Sequence, residues 1–221
     1  MRYLFVVAHP DDECDGAGGT IHKLTSKGFP VAVAILVGKA EARRNLSHTI
    51  ADDEKKALGI LGINQLYQAE FPNIKMNSVP NDTVMAFIRD CMEQWQADIV
   101  VTHHPTDTNN DHSVVSYTTQ ETFRQIEGRK MKGLYYLEAS SATEWALNSG
   151  KSRFRPNTFV EIDMKDMEAK LQALDAYKNV SRPYPHPQCR ESYYGLAAFR
   201  GVQAACRYAE AFECVFRSFV L

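Results

Sequence analysis

The sequence predicts an α/β domain: a mostly parallel sheet with helices on both faces. Three observations carry this expectation. Short apolar runs at residues 2–8, Val31–Val37 and Ile99–His103 read as strands buried on both faces. Longer mixed stretches lie between them, and two of these close at Gly28 and Gly62 as helices do. Strand and helix alternate along the first half of the chain, which is the pattern of parallel pairing through helical crossovers. With 221 residues, 44% of them hydrophobic, the chain can bury one large core, and a single domain over 1–221 is expected.

The elements follow in order. After the first strand, residues 16–27 read as a helix with Gly28 at its end, and Val31–Val37 as the second strand. A loop over Gly38–Ser47 leads to a helix at Ile50–Leu61, then a short strand at 65–69. The loop Phe71–Pro80 precedes a helix at Asp82–Gln96, with Asn81 as its expected N-cap. Ile99–His103 is followed by a helix from near Asp111 to about Glu127. Strands are expected at Leu134–Glu138 and Thr158–Ile162, and helices at Lys165–Lys178 and across most of Glu191–Phe212.

Composition excludes several classes of partner. The net charge is −2 and no basic run exists, so nothing favours nucleic acid or an anionic membrane surface. The apolar run at Tyr3–Ala8 is too short for a signal peptide or a membrane span, and no later run approaches that length. The five cysteines are odd in number and form no CxxC pair, which suits reduced thiols and a cytoplasmic location.

Two polar clusters follow directly on buried strands. Parallel sheets bind ligands at the carboxyl ends of their strands, so both are placed for function. The first is His9-Pro10-Asp11-Asp12-Glu13. Three successive carboxylates in a water-poor place repel one another, and a divalent cation relieves that. His9 and Asp12 offer an imidazole and a carboxylate, a ligand pair suited to zinc. Asp11 then stands beside the metal, where a carboxylate can take a proton from water. A solvated turn capping a helix is the plainer alternative, but it accounts for only one or two of the acids. The second cluster is His103-His104-Pro105-Thr106-Asp107-Thr108-Asn109-Asn110-Asp111-His112. A catalytic zinc needs a third protein ligand, and His112, at the start of a helix, can supply it. Asp111 is expected to orient that imidazole or to cap the helix, His103 to pack in the core, and His104 to stand behind the site.

Together these segments resemble the PIG-L/LmbE-like zinc-dependent N-deacetylases. The likeness rests on Ala8-His9-Pro10-Asp11-Asp12-Glu13 and on Pro105 to His112, and extends to Ser140–Trp145, Arg155–Val160, Pro183–Pro187 and Tyr208–Phe212. It implies a Rossmann-like fold, one zinc ion per chain held by His9, Asp12 and His112, and Asp11 as general base. It also implies an N-acetylglucosamine-type substrate, acetate and a free amine as products, and a homo-oligomer, a trimer or hexamer. Many members carry a histidine where this chain has Asn109. An amide can donate to an oxyanion but is a poor proton donor. The leaving-group acid is therefore left between His186 and Asp11. Arg44 matches a position where relatives hold sugar hydroxyls or phosphate, against an ordinary surface arginine. Glu144 and Trp145 can form a sugar platform, with core or oligomer contact as the alternative for Trp145.

Two rival readings start from the same residues. A nucleotide-binding module would use Gly16, Gly18 and Gly19 as a phosphate loop, but three acids precede them. A metal-dependent phosphoesterase would call for two metals and more carboxylates.

Overall fold

The computed structural model describes residues 1–38, 50–125, 131–147 and 153–219. Among these residues seven strands form one sheet: β1 (Tyr3–Val7), β2 (Val31–Ile35), β3 (Gln65–Gln68), β4 (Ile99–His103), β5 (Gly133–Leu137), β6 (Thr158–Ile162) and β7 (Tyr208–Arg217). Among the described residues six α-helices accompany them: α1 (Asp12–Ser26), α2 (Ile50–Leu61), α3 (Asn81–Trp95), α4 (Asn110–Gln125), α5 (Met164–Ala176) and α6 (Arg190–Gln203).

The strand order is β3-β2-β1-β4-β5-β7-β6. The pairs from β3 to β5 are parallel, and β7 runs antiparallel to both β5 and β6. This is the Rossmann-like α/β fold the sequence predicts, with an antiparallel edge added. The order reverses between β1 and β4, which opens a crevice at their carboxyl ends. Both polar clusters leave from these two strands.

Burial on both sides explains the unbroken apolar runs. Along β1, Phe5 and Val7 face one core with Ile21 of α1, Leu61 of α2 and Leu174 of α5. Leu4, Val6 and Ala8 face the other, with Ile88 and Met92 of α3 and Val115 of α4. Gly28, with φ 78°, closes α1 in the left-handed conformation that a glycine adopts without cost.

Three local expectations are corrected. Helix α1 begins at Asp12, not at Gly16, so Asp12, Glu13 and Asp15 all lie in or next to its first turn, where the helix dipole favours carboxylates. Gly16, Gly18 and Gly19 are therefore inside the helix, and a Cβ at each would come within 2.5–2.9 Å of Leu137, Lys170 or Ile162. They permit close packing and form no phosphate loop. Asn81 is the first residue of α3, with Pro80 at the cap. Its side chain joins α3 to α4, accepting from Thr118 at 2.8 Å and donating to Glu121 at 2.7 Å.

The third correction is larger. The helix expected over most of Glu191–Phe212 stops at Gln203, and Tyr208–Arg217 is a strand between β5 and β6. Ala209-Glu210-Ala211 favours a helix locally, yet tertiary pairing overrides that preference. Glu210 is buried there. It accepts the amides of Gly19 and Thr20 at 3.1 and 2.6 Å and pairs with Lys170 at 2.6 Å.

Candidate metal centre

The site is built where β1 and β4 end. After β1 the chain turns at Pro10, and Asp11 takes φ 97° and ψ −24°, the left-handed region. For a residue other than glycine this costs on the order of 1–2 kcal/mol, and such strain persists where the surroundings hold it. The turn starts α1 at Asp12 and aims its carboxylate back at His9, whose backbone N–H donates to Asp12 Oδ2 at 2.7 Å.

Asp12 Oδ2 lies 3.3 Å from His9 Nδ1 and 3.4 Å from His112 Nε2. Tetrahedral zinc with bonds of ~2.05 Å separates neighbouring ligand atoms by roughly 3.3 Å, so these spacings fit that ion. The three ligand atoms all lie within 4.8 Å of one another. The other nitrogen of each imidazole is held by a carboxylate: His9 Nε2 by Asp111 Oδ2 at 3.1 Å, and His112 Nδ1 by Asp107 Oδ2 at 3.1 Å. Such outer carboxylates fix the tautomer and turn the free nitrogen toward the metal.

The electrostatics agree with a cation site. Burial works against a charged His9, but hydrogen bonds to Asp111 and Asp12 outweigh it and raise its pKa to about 9. Burial likewise opposes a charged His112, and Asp12 and Asp107 still raise its pKa to about 10. Burial favours protonated Asp12, yet the surrounding histidines hold it well below the usual carboxylate range. The pocket attracts positive charge, whether protons or a metal.

His103, Asp107 and His112 form a second group of possible ligands. The rings of His103 and His112 are stacked, with centroids 3.8 Å apart and planes 18° from parallel. Their in-plane lone pairs lie in separate layers, so one ion cannot meet both well. His103 Nε2 also accepts the Ala8 N–H at 3.0 Å. His103 is fully buried, as the core role predicts, and its packing against His112 makes it a wall of the site.

Two sequence expectations change here. Asp111 does not orient His112. It holds His9 and also accepts the amides of Ile74 and Met76 at 2.6 and 3.1 Å, which ties the 71–80 loop to the site. Asp107 does the work at His112, and sequence reasoning missed it. The signal was available: adjacent helical residues point about 100° apart, so Asp111 cannot face its neighbour. Second, the acidic run is not one cluster around a cation. Burial raises Glu13 to about 8 and Asp15 to about 7, and their side chains turn to Tyr177 and to the Ser140 amide. Of the neighbours of Asp11, Asp12 alone meets the histidines. Asp11 itself is 2% exposed.

The remaining candidates are placed as follows. Asn109 Oδ1 accepts the Asp111 amide at 2.9 Å and so caps α4, which leaves its NH2 group as the part available to a ligand. Glu144 and Trp145 are exposed on a turn tied to the site, since Thr143 in that turn donates to Asp107 Oδ1 at 2.7 Å. Trp145 is thus not a core residue. Glu144 accepts the Ser141 amide at 2.5 Å. His186 is half-buried, and its Nδ1 accepts the amide of nearby Gln188 at 3.1 Å. His104 leans to β7, 3.5 Å from Glu213. Arg44 lies outside the described residues. Cys14 is buried and all five cysteines are free thiols. No helix among the described residues is long and apolar enough to cross a membrane.

Comparison with known proteins agrees with this centre. The PIG-L family, described as GlcNAc-PI de-N-acetylase, matches residues 4–123. An uncharacterised deacetylase, YaiS of Escherichia coli K12, is 24% identical over 180 residues, 80% of this chain and 90% of its own length. The N,N'-diacetylchitobiose deacetylase of Pyrococcus horikoshii superposes with a TM-score of 0.77 at 20% identity, over 97% of this chain and 83% of that one. GalB, the 4-carboxy-2-hydroxymuconate hydratase of Pseudomonas putida KT2440, superposes with a TM-score of 0.78 at 24% identity, over 100% and 99%. The shared fold thus carries more than one activity. The match over residues 4–123 spans both polar clusters, and with it the chain belongs to the PIG-L family of deacetylases, metal-dependent amide hydrolases.

Proposed function

We propose that the protein is a zinc-dependent hydrolase that removes the acetyl group from an N-acetylglucosamine-type amino sugar or its conjugate. One observation carries this: Asp12 Oδ2 stands at zinc-ligand spacing from both His9 Nδ1 and His112 Nε2, with a carboxylate behind each histidine. These three residues would hold one zinc ion per chain. Bound there, zinc supplies a Lewis acid for the acetamide carbonyl and lowers the pKa of water.

The protein residues do the rest. Asp11 takes the proton from the attacking water. The oxyanion that develops is met by a donor, for which the Asn109 amide NH2 is suited. Asp11 then returns the proton to the leaving amine, with His186 as the other candidate acid. Arg44, Glu144 and the exposed face of Trp145 bind the sugar. The chain works as a homo-oligomer, a trimer or hexamer, and its free thiols suit the cytoplasm.

Paired substitutions test the assignment. Asp11→Asn keeps zinc near one per chain while kcat falls by at least about a hundredfold. Asp12→Asn weakens zinc binding and activity together. If Asp11→Asn strips the metal and Asp12→Asn keeps it, the two roles are exchanged. If Asp11→Asn keeps both metal and rate, the mechanism is wrong.

A further inference from the structure

The backbone of Asp11 is held in an unfavourable conformation. At φ 97° it is in a region that side-chain-bearing residues rarely adopt. Its carbonyl is used by the first helical bond, to the Asp15 amide at 2.8 Å. Its own N–H donates to Glu13 Oε2 at 3.2 Å. Glu13 is 0% exposed, and its other oxygen accepts the Tyr177 hydroxyl at 2.8 Å and the Cys14 thiol at 3.1 Å. Tyr177 is itself buried, and it sits just past the end of α5, far along the chain.

We infer that Glu13, held by Tyr177 from α5, is a positioning residue that fixes the left-handed turn at Asp11 and so aims its carboxylate into the metal pocket. The inference rests on Asp11 being the base.

A merely structural role accounts poorly for these groups. The helix dipole needs no buried acid at this place, because Asp12 and Asp15 already lie at the same end. Glu13 is fully buried, and burying its polar head group has a cost that an apolar residue of similar size would not carry. What Glu13 supplies and a leucine cannot is an acceptor for the Asp11 amide. That acceptor exists in the acid, the carboxylate and the amide form alike, so glutamine should serve. Tyr177 keeps its proton, because burial and Glu13 push its pKa well up, and it remains a donor. Removing the clamp lets Asp11 relax toward the ordinary right-handed region, which swings its Cβ and carboxylate. Misplacing a reacting group by about 1 Å can cost about a hundredfold in rate.

The test uses the zinc-loaded full chain with four substitutions: Glu13→Ala, Glu13→Gln, Tyr177→Phe and Asp11→Asn. Acetate release from N-acetylglucosamine and N,N'-diacetylchitobiose gives kcat and KM. Elemental analysis gives zinc per chain, and a crystal structure of Glu13→Ala gives φ at Asp11. The expected result is kcat down by about thirtyfold in Glu13→Ala and about fivefold in Tyr177→Phe. KM should stay within about twofold and zinc near one per chain, since only the transition state is affected. Glu13→Gln recovers most of the rate lost in Glu13→Ala, and Asp11 leaves the left-handed region in the alanine variant. If Glu13→Ala does not fold, Tyr177→Phe decides, because the ring still fills its place in the core. Unchanged kcat in Tyr177→Phe, or an Asp11 turn that persists in Glu13→Ala, overturns the inference. So does loss of zinc in either variant, which would put the clamp on the metal instead. If Asp11→Asn turns over like the wild type, it is the base assignment that fails, and that result is separate.

Discussion

Asp107 is the residue whose replacement most sharply tests how the metal pocket is supported. Its carboxylate is fully buried and meets a His112 ring that is 6% exposed, at 3.1 Å. Asparagine has nearly the same shape, so packing is preserved. Its amide must place either oxygen or NH2 toward His112. If NH2 faces Nδ1, it meets a donor when His112 keeps the tautomer that frees Nε2 for zinc. If the oxygen faces Nδ1, NH2 faces Thr143, whose hydroxyl already accepts the Ala139 amide at 2.9 Å and loses the acceptor for its own proton. Either arrangement weakens the ligand. Second-layer partners of this kind are worth about 10–100-fold in metal affinity. The 3.1 Å contact is longer than the ~2.7–2.9 Å of the strongest charged hydrogen bonds, which points to the middle of that range. The expected loss is about thirtyfold, or ~2 kcal/mol. Competition between the protein and a chromophoric zinc chelator at pH 7 measures it. Affinity within about threefold of the wild type would show that Asp107 does not tune His112.

Two further predictions follow from charge. In the metal-free protein His9 and His112 titrate near 9 and 10, above their ordinary value, so near pH 7 both hold protons that zinc must displace. About two protons should leave per zinc bound, and affinity should rise about a hundredfold per pH unit between 6 and 8; pH-independent binding there would refute the electrostatic picture. By the same sign, raised pKa values at His9, His112, Glu13 and Asp15 contribute stability that is present at low pH and lost as pH rises through the folded values, so the metal-free melting temperature should fall from pH 6 to 10. Separately, Lys170→Met removes one partner of the buried pair with Glu210, and chemical denaturation should show a loss of about 3–5 kcal/mol; a loss below about 1 kcal/mol would mean that the two backbone amides alone satisfy Glu210.

Much of this was legible in the sequence because burial writes itself plainly. Strands β1 and β4 are covered on both faces, so they read as unbroken apolar runs, and the polar residues that end them stand out. Bringing His9, Asp12 and His112 together drew on the rule that ligands gather at strand carboxyl ends, on the donor types zinc takes, and on the family resemblance. What did not show was long-range pairing. Nothing near Glu210 announces that β5 and β6 wait on either side of it, so a helix-favouring stretch reads as helix. The missing strand hid the roles of Glu210 and Glu213. Likewise helix geometry in the sequence sets Asp111 away from its neighbour His112, but that Asp111 meets His9 and Asp107 meets His112 shows only in the fold. Glu13 reads as one more acid of a metal cluster until Tyr177, contributed from the end of α5, is seen bound to it.

The central claim is that one zinc on His9, Asp12 and His112 turns over an N-acetylated amino sugar. The most direct test strips the protein with a chelator and titrates zinc back while acetate and free amine are measured from a panel of N-acetylglucosamine derivatives. The account predicts no turnover without metal, recovery complete at about one zinc per chain, and acetate and amine released in equal amounts, with His112→Ala failing to recover. Turnover by the stripped protein, recovery only at two zinc ions per chain, or full recovery in His112→Ala would contradict it.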